Sequence, residues 1–172
     1  MVKLYVCKIC GEPYIGNSPD DCAFCGAPKT YLRDVEEFSE LWKIELNEQE
    51  KKDMEETLDL EINAVSLYND VMDNNEKYSK QNRLFKQLGR VELEHAEMAA
   101  KFLKIDLPEI KGDKGKGDVN QDLQTTKDLE DGAIKKYEQF LKNTEKPNLK
   151  NFYIALLHAE KGHFDIASEE LE

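Results

Sequence analysis

The sequence predicts a mainly α-helical protein, in which a small metal-binding module comes first and a four-helix bundle follows. All four cysteines lie within the first 25 residues, in a region rich in turn-forming glycine and proline. From about residue 36 onward, four long segments carry apolar residues at the helical period. We therefore divide the chain into a module at residues 1–35 and a helical domain at residues 36–172.

The cysteine spacing in the first part is typical of a metal site. Two Cys-x-x-Cys pairs are separated by 11 residues, and each pair is followed by a glycine. The expected ligands are Cys7, Cys10, Cys22 and Cys25. A disulfide-linked domain would spread its cysteines through the whole folding unit, whereas close pairs suit four thiolates around one ion. We expect the glycines to let the backbone turn and direct N–H groups at the sulfurs. Such a site accepts zinc or iron, so these residues alone leave a structural zinc ribbon open.

The breaks between the helical segments predict how the helices are connected. We expect helices at about 47–75, 79–104, 122–144 and 148–171. The breaks at 73–75 and 146–148 are short, while the break at 106–120 is long and contains Pro108 and a lysine- and glycine-rich stretch. Two antiparallel hairpins joined by one long crossover connection satisfy this pattern.

Each predicted helix has a glutamate in its apolar seam, and two of the helices also have a histidine. A carboxylate in such a seam costs several kcal/mol unless a partner or metal neutralises it. Two divalent cations would supply four positive charges against four glutamates. The expected ligands are Glu61, Glu92, His95, Glu130, Glu160 and His163.

The spacing of these residues suits two ions. Glutamate and histidine three positions apart lie on one helical face, so each Glu-x-x-His pair can bind one ion from one helix. Glu61 and Glu130, on the other two helices, can bridge or cap the ions. Imidazole with carboxylate suits iron, manganese or zinc. Six ligands for two ions leave open positions where oxygen or peroxide can bind.

The pattern is repeated within the chain. Glu-x-x-Ala-x-x-x-Tyr occurs at residues 61–68 and again at 130–137, which predicts a pseudo-twofold site with equivalent halves. Tyr68 and Tyr137 either form hydrogen bonds to the ligands or only fill the core, and both interpretations stay open. His158 lies off its seam and is expected to be a surface or packing histidine.

With these residues in place, the chain resembles the rubrerythrins, and in particular members with reversed domain order. The four cysteines match the rubredoxin-type knuckles, and the six Glu and His residues match ferritin-like di-iron ligands. The resemblance implies a rubredoxin-like module followed by a ferritin-like four-helix bundle. It also implies two irons at the Glu/His site and one iron at the cysteines, which zinc can replace in recombinant protein.

The resemblance further implies the activity, a reductive peroxidase of oxidative-stress defence. Electrons would pass from the cysteine-bound iron to the di-iron pair, which reduces hydrogen peroxide, or alternatively oxygen, to water. It implies a separate NAD(P)H-dependent reductase or a rubredoxin as electron donor, and a homodimer or larger homo-oligomer in which one subunit's module serves its neighbour. Ala133 departs from the family pattern, since rubrerythrins have an additional glutamate there. Ala23 also replaces a common proline.

The composition of the chain argues against some classes of partner and location. The net charge of −12 argues against a nucleic-acid partner. No apolar run approaches the roughly 20 residues that cross a bilayer, and the start of the chain has no secretory pattern, so we expect a soluble cytoplasmic protein. A ferroxidase or iron-storage protein and a zinc-containing interaction module are the competing functions.

Overall fold

The computed structural model describes residues 3–73 and 81–171. Within them, the protein is mainly helical, with four long helices and one small sheet beside the cysteines. The predicted fold class is confirmed at this level. No helix in the described ranges is both long enough and apolar enough to span a membrane.

The sheet is antiparallel and has the strand order β2-β1-β3. Its strands are β1 at Leu4–Cys7, β2 at Pro13–Ile15 and β3 at Leu32–Asp34. Tyr5 in the central strand pairs with Tyr14 on one side and with Asp34 on the other. Single 3-10 turns at Lys29–Tyr31 and Val35–Glu37 flank the last strand. The sheet therefore ends close to the predicted boundary at residue 35.

The helices are α1 at Glu48–Asp73, α2 at Asn82–Leu103, α3 at Val119–Asn143 and α4 at Pro147–Glu169. Helix α3 begins three residues before the predicted start, because the Asp118 side chain accepts a hydrogen bond from Gln121 N and caps the helix there. Proline at the first position of α4 suits a helix start, since its missing N–H would have no partner. The predicted end of the first helix and start of the second lie outside the described residues.

The helices pack in two antiparallel pairs, α1 with α2 and α3 with α4, and α1 also contacts α3. The long connection between α2 and α3 runs back along α1. There the Asn63 side chain accepts a hydrogen bond from Asp113 N, and Asp70 accepts one from Gly115 N. The loop expected from the Pro108 region is therefore present and is attached to the helix that it crosses.

The sheet module packs against its own helices. Asn148 Nδ2 at the start of α4 donates to Leu41 O in the segment that joins the module to α1, at 2.9 Å. Trp42 in the same segment lies beneath the Lys101 ammonium of α2, with 5.0 Å between the nitrogen and the ring centre. These contacts hold the segment that follows the module against the start of α4 and the last turns of α2.

Candidate metal centres

The four cysteine side chains converge on one point, and all four are buried. The Sγ atoms of Cys7 and Cys25 are 3.7 Å apart, and so are those of Cys10 and Cys22. A disulfide would need about 2.05 Å. A tetrahedron with metal–sulfur bonds of about 2.3 Å has edges of about 3.8 Å, so the spacing fits a single tetrahedral ion. Zinc and iron satisfy this geometry equally well.

Two tight turns bring the cysteines together. Gly11 N donates to Cys7 O and Gly26 N donates to Cys22 O, and both glycines have positive φ, where a side chain would be strained. The glycine turns expected from the sequence are therefore present. Their own N–H groups, however, bond to carbonyl oxygens and not to sulfur.

Tyr14 is a neighbour of the cysteine site that the sequence analysis missed. Its hydroxyl donates to Cys22 Sγ at 3.0 Å and accepts a hydrogen bond from Ala23 N at 2.7 Å. A donor to a thiolate stabilises its negative charge, and the same contact raises the pKa of Tyr14, after the larger effect of its burial. Cross-strand pairing with Tyr5 places Tyr14 on the sheet, which cysteine spacing alone does not predict.

The six predicted Glu and His residues also converge, from all four helices. They form two overlapping groups, each of which could hold one metal ion. The first group is Glu61, Glu92, His95 and Glu160. The second group is Glu92, Glu130, Glu160 and His163. We call these the His95 position and the His163 position.

Glu92 and Glu160 belong to both positions. Glu92 places Oε2 3.0 Å from His95 Nδ1 and Oε1 2.8 Å from His163 Nδ1. Glu160 places Oε1 3.3 Å from His95 Nδ1 and Oε2 3.1 Å from His163 Nδ1. Each of these carboxylates thus has one oxygen in each position, as a bridging ligand would.

Glu61 and Glu130 each belong to a single position. Their nearest carboxylate oxygens lie 3.7 Å from His95 Nδ1 and 3.8 Å from His163 Nδ1, respectively. Of the two roles that the sequence left open for these glutamates, the arrangement supports capping. The glutamates placed to bridge are Glu92 and Glu160, each of which shares a helix with one of the histidines.

The buried carboxylates supply a direct test of whether this site suits cations. Glu92 Oε1 and Glu160 Oε1 are shielded from solvent and have no hydrogen-bond partner, although each lies near a histidine nitrogen. Leaving a buried charged oxygen without a donor is costly. Two divalent ions coordinated by both carboxylates would remove that cost, so the donor set fits a di-metal centre.

The four glutamates differ in how readily they ionise without metal. Burial, together with the negative charge of Glu160, raises the pKa of Glu61 to about 8, and burial with the charge of Glu92 raises the pKa of Glu130 well above its usual range. Burial acts in the same direction on Glu92, but the charge of His163 outweighs it and lowers that pKa. Burial and the charge of Glu92 would raise the pKa of Glu160, but the hydrogen bond to His163 and the charge of His95 outweigh them and lower it.

Both histidines favour the charged form without metal. Burial alone would lower the pKa of His95, but the charge of Glu61 and hydrogen bonds to the carboxylates raise it well above its usual value. The charge of Glu92 does the same for His163 against the effect of burial. From these directions we expect a metal-free cluster that is close to neutral, with two ionised glutamates against two imidazolium groups.

Tyr68 and Tyr137 both contact ligands across the α1–α3 interface. The Tyr68 hydroxyl on α1 donates to Glu130 Oε1 on α3, and the Tyr137 hydroxyl on α3 donates to Glu61 Oε1 on α1. Both side chains are fully buried. The tyrosines therefore orient the two capping glutamates and do more than fill the core.

A hydrogen bond joins the two candidate metal sites within one chain. His95 Nε2 lies 2.9 Å from Cys25 O. A carbonyl oxygen can only accept, so Nε2 carries the hydrogen and Nδ1 is left to bind metal. A cysteine ligand of one site thus contacts a histidine ligand of the other, which sequence spacing cannot predict because the acceptor is backbone.

Further contacts hold the second cysteine pair in this place. Gln87 Nε2 on α2 donates to Ala23 O at 3.0 Å, and His158 Nε2 on α4 lies 2.8 Å from Asp21 Oδ1. His158 is exposed, as expected, but it contacts the module. Gly26 packs so closely on α4 that a Cβ atom there would lie 2.6 Å from Ala159 Cβ. The loop of Asp21–Gly26, which we call the second knuckle, therefore covers the gap between α2 and α4.

Comparison of the chain with protein-family models, with curated proteins and with solved structures finds no match. The function must therefore be argued from the two metal sites and from the contact between them.

Proposed function

We propose that this protein is a reductive peroxidase, with a di-iron centre at the Glu/His site and a one-electron iron centre at the cysteines. The observation that carries the proposal is the hydrogen bond between Cys25 O and His95 Nε2. It provides a short covalent and hydrogen-bonded route from a cysteine ligand to a ligand of the two-metal site. A structural zinc ribbon would have no need of such a route.

The same features support a finer description of the fold. We infer that the four helices form a ferritin-like bundle and that the sheet is a rubredoxin-like module. The long crossover between α2 and α3 and the ligands on all four helices support the bundle. The two cysteine turns with glycine at positive φ support the module.

The residues of the chain would hold and tune the metals as follows. Glu92 and Glu160 would each offer one oxygen to each position, while Glu61 and Glu130 would serve one position each, oriented by the tyrosine hydroxyls. His95 is fixed by Cys25 O, which sets its tautomer. An iron pair held by these residues would supply the two electrons that, with two protons, convert hydrogen peroxide to two waters, and iron held by the cysteines would be a one-electron reservoir for the pair.

Electron entry would need a separate donor, for which an NAD(P)H-dependent reductase or a rubredoxin is our proposal. The expected homodimer or larger oligomer also stays a prediction. In the structure, however, the module already contacts the Glu/His site of its own chain. Transfer between the sites can therefore take place within one subunit.

The proposal is tested by rapid mixing of anaerobically reduced protein with hydrogen peroxide. We expect three irons per chain and reoxidation of the cysteine-bound iron within seconds, followed by its visible absorption. A Cys10→Ala variant whose iron content is two per chain, and which therefore lacks the cysteine-bound iron, should allow one reaction of the di-iron pair but no repeated turnover. If the reduced cysteine-bound iron of fully loaded wild-type protein stays reduced for seconds after peroxide addition, the proposal is wrong.

One observation favours a second candidate, a ferroxidase. Ala133 lines the space beside Glu61 and Glu130, so the ligand set is symmetric, with four glutamates and two histidines and no further carboxylate at that point. A storage protein would assemble into a large hollow particle. Gel filtration distinguishes the two, because a dimer or tetramer would argue against storage. Oxygen in place of peroxide in the mixing experiment tests the oxygen-reductase alternative.

A further inference from the structure

A small cavity reaches the metal ligands from the side of α1 and α3. Glu61, Glu130 and Glu160 line its inner end together with Tyr137. These carboxylates come from both metal positions, so a molecule in the cavity would lie beside both ions. The cavity can hold a water molecule at most, so a larger ligand enters only if the side chains around it move.

The outer end of the cavity is bordered by two matched pairs of apolar side chains. Leu60 and Leu129 each precede a capping glutamate, and Ala64 and Ala133 each lie one helical turn further along. The leucines are partly exposed, while the alanines are 8% and 9% exposed. Leucine rotamers change rapidly at a protein surface, so these two side chains can move aside for a small ligand.

The opposite side of the site is closed. The second knuckle fills the gap between α2 and α4, where Gly26 has no space for even a Cβ atom beside Ala159. His95 is fully buried beneath it and bonded to Cys25 O. Electrons would therefore enter from the module side, which leaves the α1–α3 side for substrate. The other route that the described residues offer passes His163, whose side chain is 12% exposed.

We propose that substrate reaches the di-metal site between α1 and α3, and that Leu60 and Leu129 select hydrogen peroxide against bulky alkyl hydroperoxides. This rests on the proposed peroxidase function, in which hydrogen peroxide is the substrate, and adds the entry route and the exclusion of larger hydroperoxides. Hydrogen peroxide is close to water in width, whereas tert-butyl hydroperoxide adds a branched alkyl group that both leucines would have to accommodate. In an apolar pocket, even one additional methylene group on a substrate changes the rate constant kcat/KM by about 10-fold or more.

Four proteins test the entry route: the wild type, Ala133→Leu, Leu129→Ala and Gly132→Leu. Ala133→Leu fills the cavity, and Leu129→Ala widens its border. Gly132→Leu is the matched control, since it adds the same side chain one residue away, where a Cβ atom meets nothing within 4 Å. Iron content is measured for each protein so that only fully loaded samples are compared.

The first measurement is the rate at which azide, a small anion that binds open positions of ferric iron, changes the absorption of the oxidised protein. We expect Ala133→Leu to slow azide binding about 10-fold or more, and Gly132→Leu to leave the rate unchanged. Azide kinetics equal to wild type in fully loaded Ala133→Leu would overturn the route and point to entry past His163.

The second measurement is the oxidation rate of the reduced protein by hydrogen peroxide and by tert-butyl hydroperoxide. The wild type should react about 10-fold or more slowly with the alkyl hydroperoxide, and Leu129→Ala should reduce that difference. Equal rates for the two oxidants in the wild type would overturn the selectivity. If neither oxidant reacts but azide binding still depends on residue 133, the peroxidase function fails and the entry route stands.

Discussion

Binding of two divalent ions to the Glu/His site should release about four protons at pH 7. Without metal, Glu61 and Glu130 hold protons because their pKa values are raised, to about 8 for Glu61, and both histidines are charged. The two ionised glutamates balance the two imidazolium groups. Two divalent ions balance four ionised glutamates only if both histidines are neutral, so all four of these protons must leave.

The number of released protons determines how strongly metal binding depends on pH. Each released proton changes the free energy of binding by about 1.4 kcal/mol per pH unit. Loading both positions should therefore become about 5 kcal/mol more favourable for each unit that the pH rises while all four groups are still protonated.

Calorimetry in buffers of different ionisation enthalpy measures the released protons. The titrant is manganese(II), which prefers oxygen and nitrogen ligands, and the cysteine site is filled beforehand so that its thiols do not contribute. Glu61→Gln, which has no proton to release, should lower the count to about three, and Glu138→Gln on the exposed surface of α3 should leave it at four. Release of two protons or fewer by the wild type would refute the neutral-cluster argument.

Three further predictions follow from the same contacts. As the pH rises from about 5 to 8, the metal-free protein should lose about 3 to 4 kcal/mol of unfolding free energy from Glu61 alone, because the folded state keeps the Glu61 proton over most of this range while the unfolded state has lost it. Denaturant titrations measure the change, and a rise in stability would contradict the prediction. Tyr68→Phe should weaken metal binding at the His163 position, and Tyr137→Phe should weaken it at the His95 position, each by about 10-fold or more. Competition with a chelator measures these affinities, and unchanged values would mean that the hydroxyls play no part in metal binding. Gly26→Ala should slow electron transfer between the sites about 10-fold or more in rapid mixing, because its Cβ atom would displace the second knuckle. Gly16→Ala, also at positive φ but with open space around it, is the control, and an equal effect of both would mean that backbone strain alone is responsible.

The sequence predicted which residues converge in the two clusters, because metal ligands have strict spacing. Cysteines two residues from their partners, and histidines three residues from a glutamate, can be identified without knowing how the helices pack. The positions of the helix breaks were predictable for a similar reason, since proline and glycine act locally. The start of α3 was missed because a single cap, Asp118, decides it.

The roles within the site were not predictable. Which glutamates bridge depends on the spacing between helices, and the spacing depends on packing along their whole length. Glu92 and Glu160 reach both positions, whereas Glu61 and Glu130 are each held back by a tyrosine from the opposite helix. The contact of Cys25 O with His95 involves a backbone atom, which every residue has, so no residue type indicates it.

The internal repeat predicts two equivalent halves, and the structure departs from that equivalence at one place. His95 is fully buried and donates to Cys25 O, while His163 is partly exposed and its Nε2 has no hydrogen-bond partner among the described residues. The ligand types are the same at both positions, so the difference comes from the second knuckle, which covers only the His95 side. The two halves of the helical site therefore differ in their surroundings, because the cysteine module, which is not part of the repeat, packs against His95 and not against His163. Electrons from the cysteine site would reach the His95 position first, and the two bridging glutamates would connect it to the position beside His163.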